Sequence, residues 1–232
     1  MGKRIAELSK KVDATKKYTL SDAVNLVKEL AKAKFDETVS LTIKLGVDVK
    51  QTNQAVRSSV VLPHGTGKVP RVLVFAKGEK EKEAREAKAD FVGAEDLVEK
   101  VMGGWRDFDV VIATPDMMRD ISKLGKVLGP SGLMPNPKSG TVTNDLARSV
   151  KEAKTGKIEF KTDVGGVIHS VIGKASFDAQ KLLDNSNTLL EAVIKARPQG
   201  VKGVFVQKVV LHTTMSPAIN IDTKSYLNVS EG

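Results

Sequence analysis

Two prolines and two glycines fall within eight residues at Pro63-His64-Gly65-Thr66-Gly67-Lys68-Val69-Pro70. Proline lacks the N–H that a helix interior or central strand must donate, so neither element runs through this stretch. It divides two hydrophobic patterns that do not belong to one sheet. Before it, Val39, Leu41, Ile43, Leu45, Val47 and Val49 alternate with Thr38, Ser40, Thr42, Lys44, Gly46 and Asp48, which predicts a strand with one buried and one solvated face. After it, Arg71 to Ala76 is an almost unbroken apolar run, the pattern of a strand buried on both faces. A domain boundary therefore belongs in this stretch.

Around the first pattern, Thr19 with Asp22 fits a capping box, and Leu20, Ala23, Val24, Val27, Leu30 and Ala31 recur at helical spacing, predicting an amphipathic helix. A second strand is expected from Arg57 to Leu62, after a polar turn at Gln51 to Gln54. Beyond the boundary, strands at Arg71–Ala76, Phe91–Val92 and Asp109–Ala113 alternate with helices at Glu79–Ala89, Ala94–Met102, Pro115–Ser122 and Asn144–Lys154. Such alternation implies βαβ units and a parallel sheet with both faces covered. The last third returns to the first style. Strands at Ile158–Thr162 and Val167–Ile172 flank the turn Asp163-Val164-Gly165-Gly166, and a helix at Phe177–Ala196 and a strand at Val201–Thr213 follow.

Neither end segment offers enough apolar surface to fold alone. The economical arrangement is an α/β protein of two domains. Residues 1–66 and 157–232 form a discontinuous α+β domain, and residues 67–156 form an inserted Rossmann-like domain with a parallel sheet. Two crossings near Gly67 and Gly156 make a hinge plausible. The chain has 232 residues and 37 Lys and Arg against 28 Asp and Glu, a net charge of +9. Residues 1–66 carry +5, residues 67–156 carry +2 and residues 157–232 carry +2. The excess suits a polyanionic partner or simple solubility. If a polyanion binds, the discontinuous domain is the expected platform.

Cysteine is absent, which excludes disulfides, thiolate metal sites and thiol catalysis. No apolar run approaches the roughly 20 residues of a membrane span, and the basic N-terminus has no following apolar region, so neither a membrane partner nor a secretory signal is expected. Phe75-Ala76-Lys77-Gly78-Glu79 lacks the G-x-G-x-x-G of a dinucleotide fold, and Pro137 precedes Lys138-Ser139 where a P-loop requires glycine. A phosphate-binding role for the loop Gly125 to Gly140 stays open. His64, His169 and His212 show no metal-ligand spacing. No catalytic constellation, metal site, cofactor or small-molecule substrate is indicated. A nucleotide-dependent enzyme built on the inserted domain is the rival reading.

The stretch Leu124-Gly125-Lys126-Val127-Leu128-Gly129-Pro130-Ser131-Gly132-Leu133-Met134-Pro135-Asn136-Pro137-Lys138 is distinctive. It resembles the motif of the L-one family, the large-subunit ribosomal proteins of the mobile stalk beside the tRNA exit site, in its bacterial form. Further matches are Lys34-Phe35-Asp36-Glu37-Thr38, Leu62-Pro63-His64-Gly65, Ala76-Lys77-Gly78, Ala113-Thr114-Pro115-Asp116, Ile172-Gly173-Lys174 and Thr213-Thr214-Met215. The resemblance covers essentially the whole chain. It implies a cytoplasmic, non-enzymatic constituent of the large ribosomal subunit that binds large-subunit rRNA through the discontinuous domain and assists release of deacylated tRNA from the exit site. It further implies repression of translation of the protein's own mRNA. A free regulatory RNA-binding protein is the alternative.

By position, the resemblance assigns RNA contacts to Lys34, Phe35, Thr214 and Met215, and to Ser216, which stands where the family usually has glycine. Lys161, Thr162, Asp163 and His169 match positions near the RNA surface. Gly129, Pro130, Gly132 and Pro135 carry the loop motif, and Ser131 stands where a basic residue is common. Read from the residues alone, Phe35 is rather expected to continue the core stripe of Leu30 and Ala31, and the hairpin at 161–169 reads as well as an ordinary solvated turn.

Overall fold

The computed structural model describes residues 3–13, 15–51, 54–201 and 203–223. Met1 and Gly2 of the basic N-terminus, Thr52 and Asn53 of the expected polar turn, and Lys202 of the expected last strand lie outside the described residues. The N-terminal part holds α1 (Lys3–Ser9), α2 (Leu20–Leu30), β1 (Thr38–Leu45) and β2 (Arg57–Val61). Then come β3 (Val72–Phe75), α3 (Glu79–Glu86), β4 (Phe91–Gly93), α4 (Glu95–Met102), β5 (Val110–Ala113), α5 (Met118–Ile121), α6 (Gly125–Leu128) and α7 (Leu146–Thr155). The C-terminal part holds β6 (Lys157–Lys161), β7 (Val167–Lys174), α8 (Ala179–Lys195), β8 (Val206–Thr213) and β9 (Ile219–Ile221). Two compact units result, one of Met1–Gly67 with Ile158–Gly232, the other of Lys68–Lys157.

In the discontinuous unit, β7, β1, β8 and β9 form an antiparallel sheet in that order. Val39, Leu41, Ile43 and Leu45 of β1 are buried and cluster with Ala23, Val24, Val27 and Leu30 of α2 and with Leu182, Leu189, Leu190 and Val193 of α8. Each such aliphatic side chain contributes about 1.5–3 kcal/mol by leaving water. The Thr19 hydroxyl caps α2 by accepting from the Asp22 amide at 3.2 Å. A separate two-stranded sheet pairs β2 with β6.

The expected alternation past Leu45 does not continue as strand. A side chain at Gly46 would sit 2.4 Å from the Val204 carbonyl oxygen, and that close approach ends β1. Likewise β8 begins at Val206 rather than Val201, although Val201 and Phe205 are buried in the core. α1 and β9 had no clear signal, because each is short.

The other unit is built on a parallel sheet in the order β4, β3, β5. Successive residues of β3 face opposite ways. Leu73 and Phe75 pack with α4 and the helical turns at 117–128, while Val72 and Val74 pack with Ala84 of α3 and Leu146 and Val150 of α7. The continuous apolar pattern of 71–76 is the direct consequence of this two-sided burial. The helix expected at Pro115–Ser122 runs on as short α and 3-10 turns through Leu128, taking in the first part of the Leu124–Lys138 stretch.

Where the chain leaves the first unit, the fully buried Asn185 of α8 acts as a clasp. Its side-chain oxygen accepts from the His64 amide at 3.1 Å, and its nitrogen donates to the carbonyls of Gly65 at 2.9 Å and Ile172 at 2.8 Å. His64 Nε2 lies 3.0 Å from Asp184 Oδ2. Of the three histidines, this one has a structural position. Gly67, at φ 79°, has Lys174 Cγ 2.8 Å from where a Cβ would stand, so no larger residue fits without a shift.

Candidate nucleic-acid interface

Three chain segments meet at one end of the antiparallel sheet: residues 33–38 leading into β1, residues 174–176 at the end of β7, and residues 213–217 at the end of β8. The buried Glu37 ties the first to the third. Its carboxylate accepts from the Ala33 amide at 3.0 Å, the Thr213 hydroxyl at 2.7 Å and the Met215 amide at 3.0 Å. Burial alone would raise the Glu37 carboxyl, but the Thr213 hydroxyl, the two amides and the nearby Arg4 charge outweigh it and hold it below the ordinary glutamate range. Asp36 fixes the other flank, accepting from the Ser176 amide at 3.1 Å and hydroxyl at 2.8 Å, and the Ala175 amide donates to the Glu37 carbonyl at 2.8 Å.

On this frame, Phe35 is 53% exposed and Met215 is 44% exposed. That decides against the core reading of Phe35: it does not continue the core stripe, which ends at Leu30. Lys34 and Thr214 are also exposed. Thr214 is held to β1, its amide donating to the Thr38 carbonyl at 3.1 Å and its hydroxyl accepting from the Thr38 amide at 3.2 Å. Ser216 needs no left-handed backbone, since Lys88 alone among described non-glycine residues has positive φ. Its hydroxyl accepts from the Thr213 amide at 2.9 Å and donates to the Pro217 carbonyl at 3.1 Å. The serine therefore closes the turn from inside rather than offering its hydroxyl outward.

Lys161, Thr162 and Asp163 lie at the other end of the sheet, some six residues along β1, roughly 20 Å away at strand rise. Lys161 is exposed, while the Thr162 hydroxyl accepts from the Val56 amide at 3.2 Å. Asp163 Oδ1 accepts from the amides of Gly165 and Val167, both at 2.8 Å. The Val167 amide, opposed by burial but joined by the Gly165 amide and the His169 and Lys44 charges, keeps the Asp163 carboxyl low. Thr162 and Asp163 thus shape the hairpin, and Lys161 and His169 are exposed beside them. His169 stands between the two ends, opposite Thr42.

The Gly125–Gly140 loop does not present a phosphate cradle. The amides of Gly132, Leu133, Ser139, Gly140 and Thr141 donate to carbonyls within the loop, and the Lys138 amide donates to the Asn136 side chain. Gly129 and Pro130 are exposed, Gly132 takes φ 71°, and Pro135 is buried. A Cβ on Gly129 would lie 2.5 Å from the Gly125 carbonyl oxygen, so that glycine is required by packing. Among the described residues no cluster of three or more His, Asp or Glu could hold a metal ion, and no helix is long and apolar enough to cross a membrane.

The model of the ribosomal protein L1p/L10e family matches residues 27–217. The "Large ribosomal subunit protein uL1" of Thermosipho melanesiensis is 57% identical over 221 residues, covering 95% of each chain. The chain belongs to the L1p/L10e family. It is a ribosomal protein, a structural component and not an enzyme, and the ribosome places it in the cytoplasm. In this L1p/L10e member, Glu37, Thr42 and His212 were given no site role by the sequence alone. The alternating pattern puts Thr42 on the solvated face, but only strand register reveals what stands beside it.

Proposed function

We propose that this ribosomal protein is a constituent of the large subunit that binds large-subunit rRNA through its discontinuous domain, residues 1–66 and 157–232, and that residues 67–156 form an inserted Rossmann-like domain. The observation that carries the reading is the pair of exposed apolar side chains, Phe35 and Met215, projecting from two segments locked together by Glu37. An exposed ring stacks on a base or ribose, and a thioether adapts to the adjoining sugar face. Lys34 supplies charge for phosphate and the Thr214 hydroxyl bonds a 2′-OH. Ser216 keeps the Met215 turn in shape. At the far end, Lys161 makes a second contact on a hairpin shaped by Thr162 and Asp163, and His169 adds one from between the two ends.

The same binding supports release of deacylated tRNA from the exit site and, where the protein's own mRNA offers a like RNA surface, repression of its translation. Both follow the family resemblance carried by the Gly129, Pro130, Gly132 and Pro135 loop and the matches around it. Titration of a large-subunit rRNA transcript tests the site. Phe35→Ala and Met215→Ala should each weaken binding by about 1–3 kcal/mol, the scale of one lost base–side-chain stack. Wild-type affinity in both would remove the assignment. Absence of the protein from sedimented large subunits would remove the larger reading. Unchanged translation of its own message on adding the protein would remove the repressor role.

A further inference from the structure

The register of the sheet brings together three side chains from its solvated face. Thr42 of β1 stands opposite His169 of β7 and Val210 of β8, and Ser40 stands opposite Val171 and His212. Directly paired residues point to the same side, so both imidazoles share the face of Thr42. Its hydroxyl oxygen is 3.3 Å from His169 Nδ1 and 3.3 Å from His212 Nε2. The other ring nitrogens reach Asp163 Oδ2 at 3.8 Å and the Thr213 carbonyl at 3.3 Å. A hydroxyl has two lone pairs and one proton. It can accept from both imidazoles when they are protonated, which leaves its own proton free to donate outward.

Two imidazolium rings sharing one hydroxyl repel each other, and an anion is the group that relieves the repulsion. The surroundings agree. Lys44 and Lys208 form the next row on the same face, Lys174 donates to the Thr38 hydroxyl at 2.8 Å in the first row, and β9 contributes the neutral Asn220. Asp163 is the acidic group beside His169: the Gly165 and Val167 amides bind its Oδ1, while its Oδ2 lies 3.8 Å from His169 Nε2 and offsets part of that ring's charge, whereas His212 Nδ1 meets the Thr213 carbonyl instead. The trio lies midway along β1, between the Phe35–Met215 end and the Lys161 hairpin.

We propose that Thr42, His169 and His212 form a phosphate contact for RNA on the open face of the sheet, joining the two ends of the interface and closing most tightly when the imidazoles are protonated. This rests on the RNA-binding reading of the discontinuous domain. Histidine changes charge between pH 5 and 8, whereas Asp163 and Glu37, both held low, stay ionised throughout that range.

The test is the affinity of the full chain for a large-subunit rRNA transcript at about pH 5.5 and about pH 8, at fixed ionic strength and across a salt series. Wild type should bind about tenfold more tightly at the lower pH, with a steeper salt dependence from the added phosphate neutralisation. H169N and H212N should each lose part of this gain and the double variant all of it. H64N, whose ring pairs with Asp184 of α8 against the opposite face, should keep the wild-type profile. If the double variant is unfolded by circular dichroism, T42V replaces it and must lose at least half the gain. Superimposable pH profiles of wild type and the folded variant overturn the proposal. The Phe35→Ala arm separates the two readings: a loss there with a flat wild-type profile leaves the Phe35–Met215 interface standing and removes the imidazole contact. No RNA binding at either pH removes both.

Discussion

A carboxylate at 2% exposure, as Glu37 is, costs several kcal/mol unless its oxygens are matched. Glu37 matches them with two amides and a hydroxyl from the segments that carry Phe35 and Met215. Replacing it by glutamine keeps the size but turns an NH2 group toward donors, so E37Q should destabilise the protein by about 1–3 kcal/mol. The pH dependence has a definite sign. The folded carboxyl lies below its ordinary value, so the unfolded chain binds the proton more readily. The stabilisation is therefore present above about pH 4.3, the unperturbed glutamate value, and fades as pH falls through the lower folded value. Urea midpoints of wild type and E37Q should differ by a constant amount from about pH 7 to about pH 5 and converge as pH falls through the lower folded value. A difference that grows on acidification would show that the carboxylate is not favoured by its partners. E37Q should also weaken RNA binding several-fold, because the Met215 turn loses its anchor.

Among the elements, α8 does more than cover the sheet. Asn185, on its buried face, satisfies the His64 amide and the carbonyls of Gly65 and Ile172, so the helix fixes the stretch by which the chain leaves the first unit. Asn185→Ala would leave three backbone groups unpaired, and a loss of roughly 2–4 kcal/mol is expected in the unfolding free energy, at about 1–3 kcal/mol for each group that water fails to reach. A loss under about 0.5 kcal/mol, the size of an ordinary surface change, would mean that water replaces the side chain. This clasp was not legible in the sequence. Asn185 read as one polar residue in a helix, and its partners lie 13 to 121 residues away. The elements themselves were legible, because β1, β3 and α2 announce their burial through periods of 2, continuous and 3.6. Their ends were set by tertiary contact, as Gly46 against Val204 shows. The same limit applies to the site. Phe35 and Met215 could be named by resemblance, but the ion that positions them and the register that sets His169 and His212 around Thr42 exist only in the folded sheet.

For the whole molecule, the question is whether the chain ends carry the RNA affinity without the insert. The discontinuous unit has one contiguous core, from Leu8 to Ile221, while the insert buries its own side chains on the two faces of its parallel sheet. With the structural boundaries, Lys157 passes to the insert, and the discontinuous unit keeps 20 basic against 14 acidic residues, +6 of the +9. Replacing residues 68–156 by a short Gly-Ser linker, and retaining Lys157 because it opens β6, should therefore leave a protein that unfolds cooperatively. Loop closure over a few flexible residues changes the cost by only about 1 kcal/mol. Its affinity for the rRNA transcript should stay within about fivefold of the intact chain, and its salt dependence should persist, since each phosphate neutralised contributes to the slope wherever its lysine sits. A folded deletion variant that bound a hundredfold more weakly and without salt dependence would move the phosphate contacts to the insert. Its Lys123, Lys126 and Lys138 beside the Gly129–Gly132 turn would then be the side chains to substitute next.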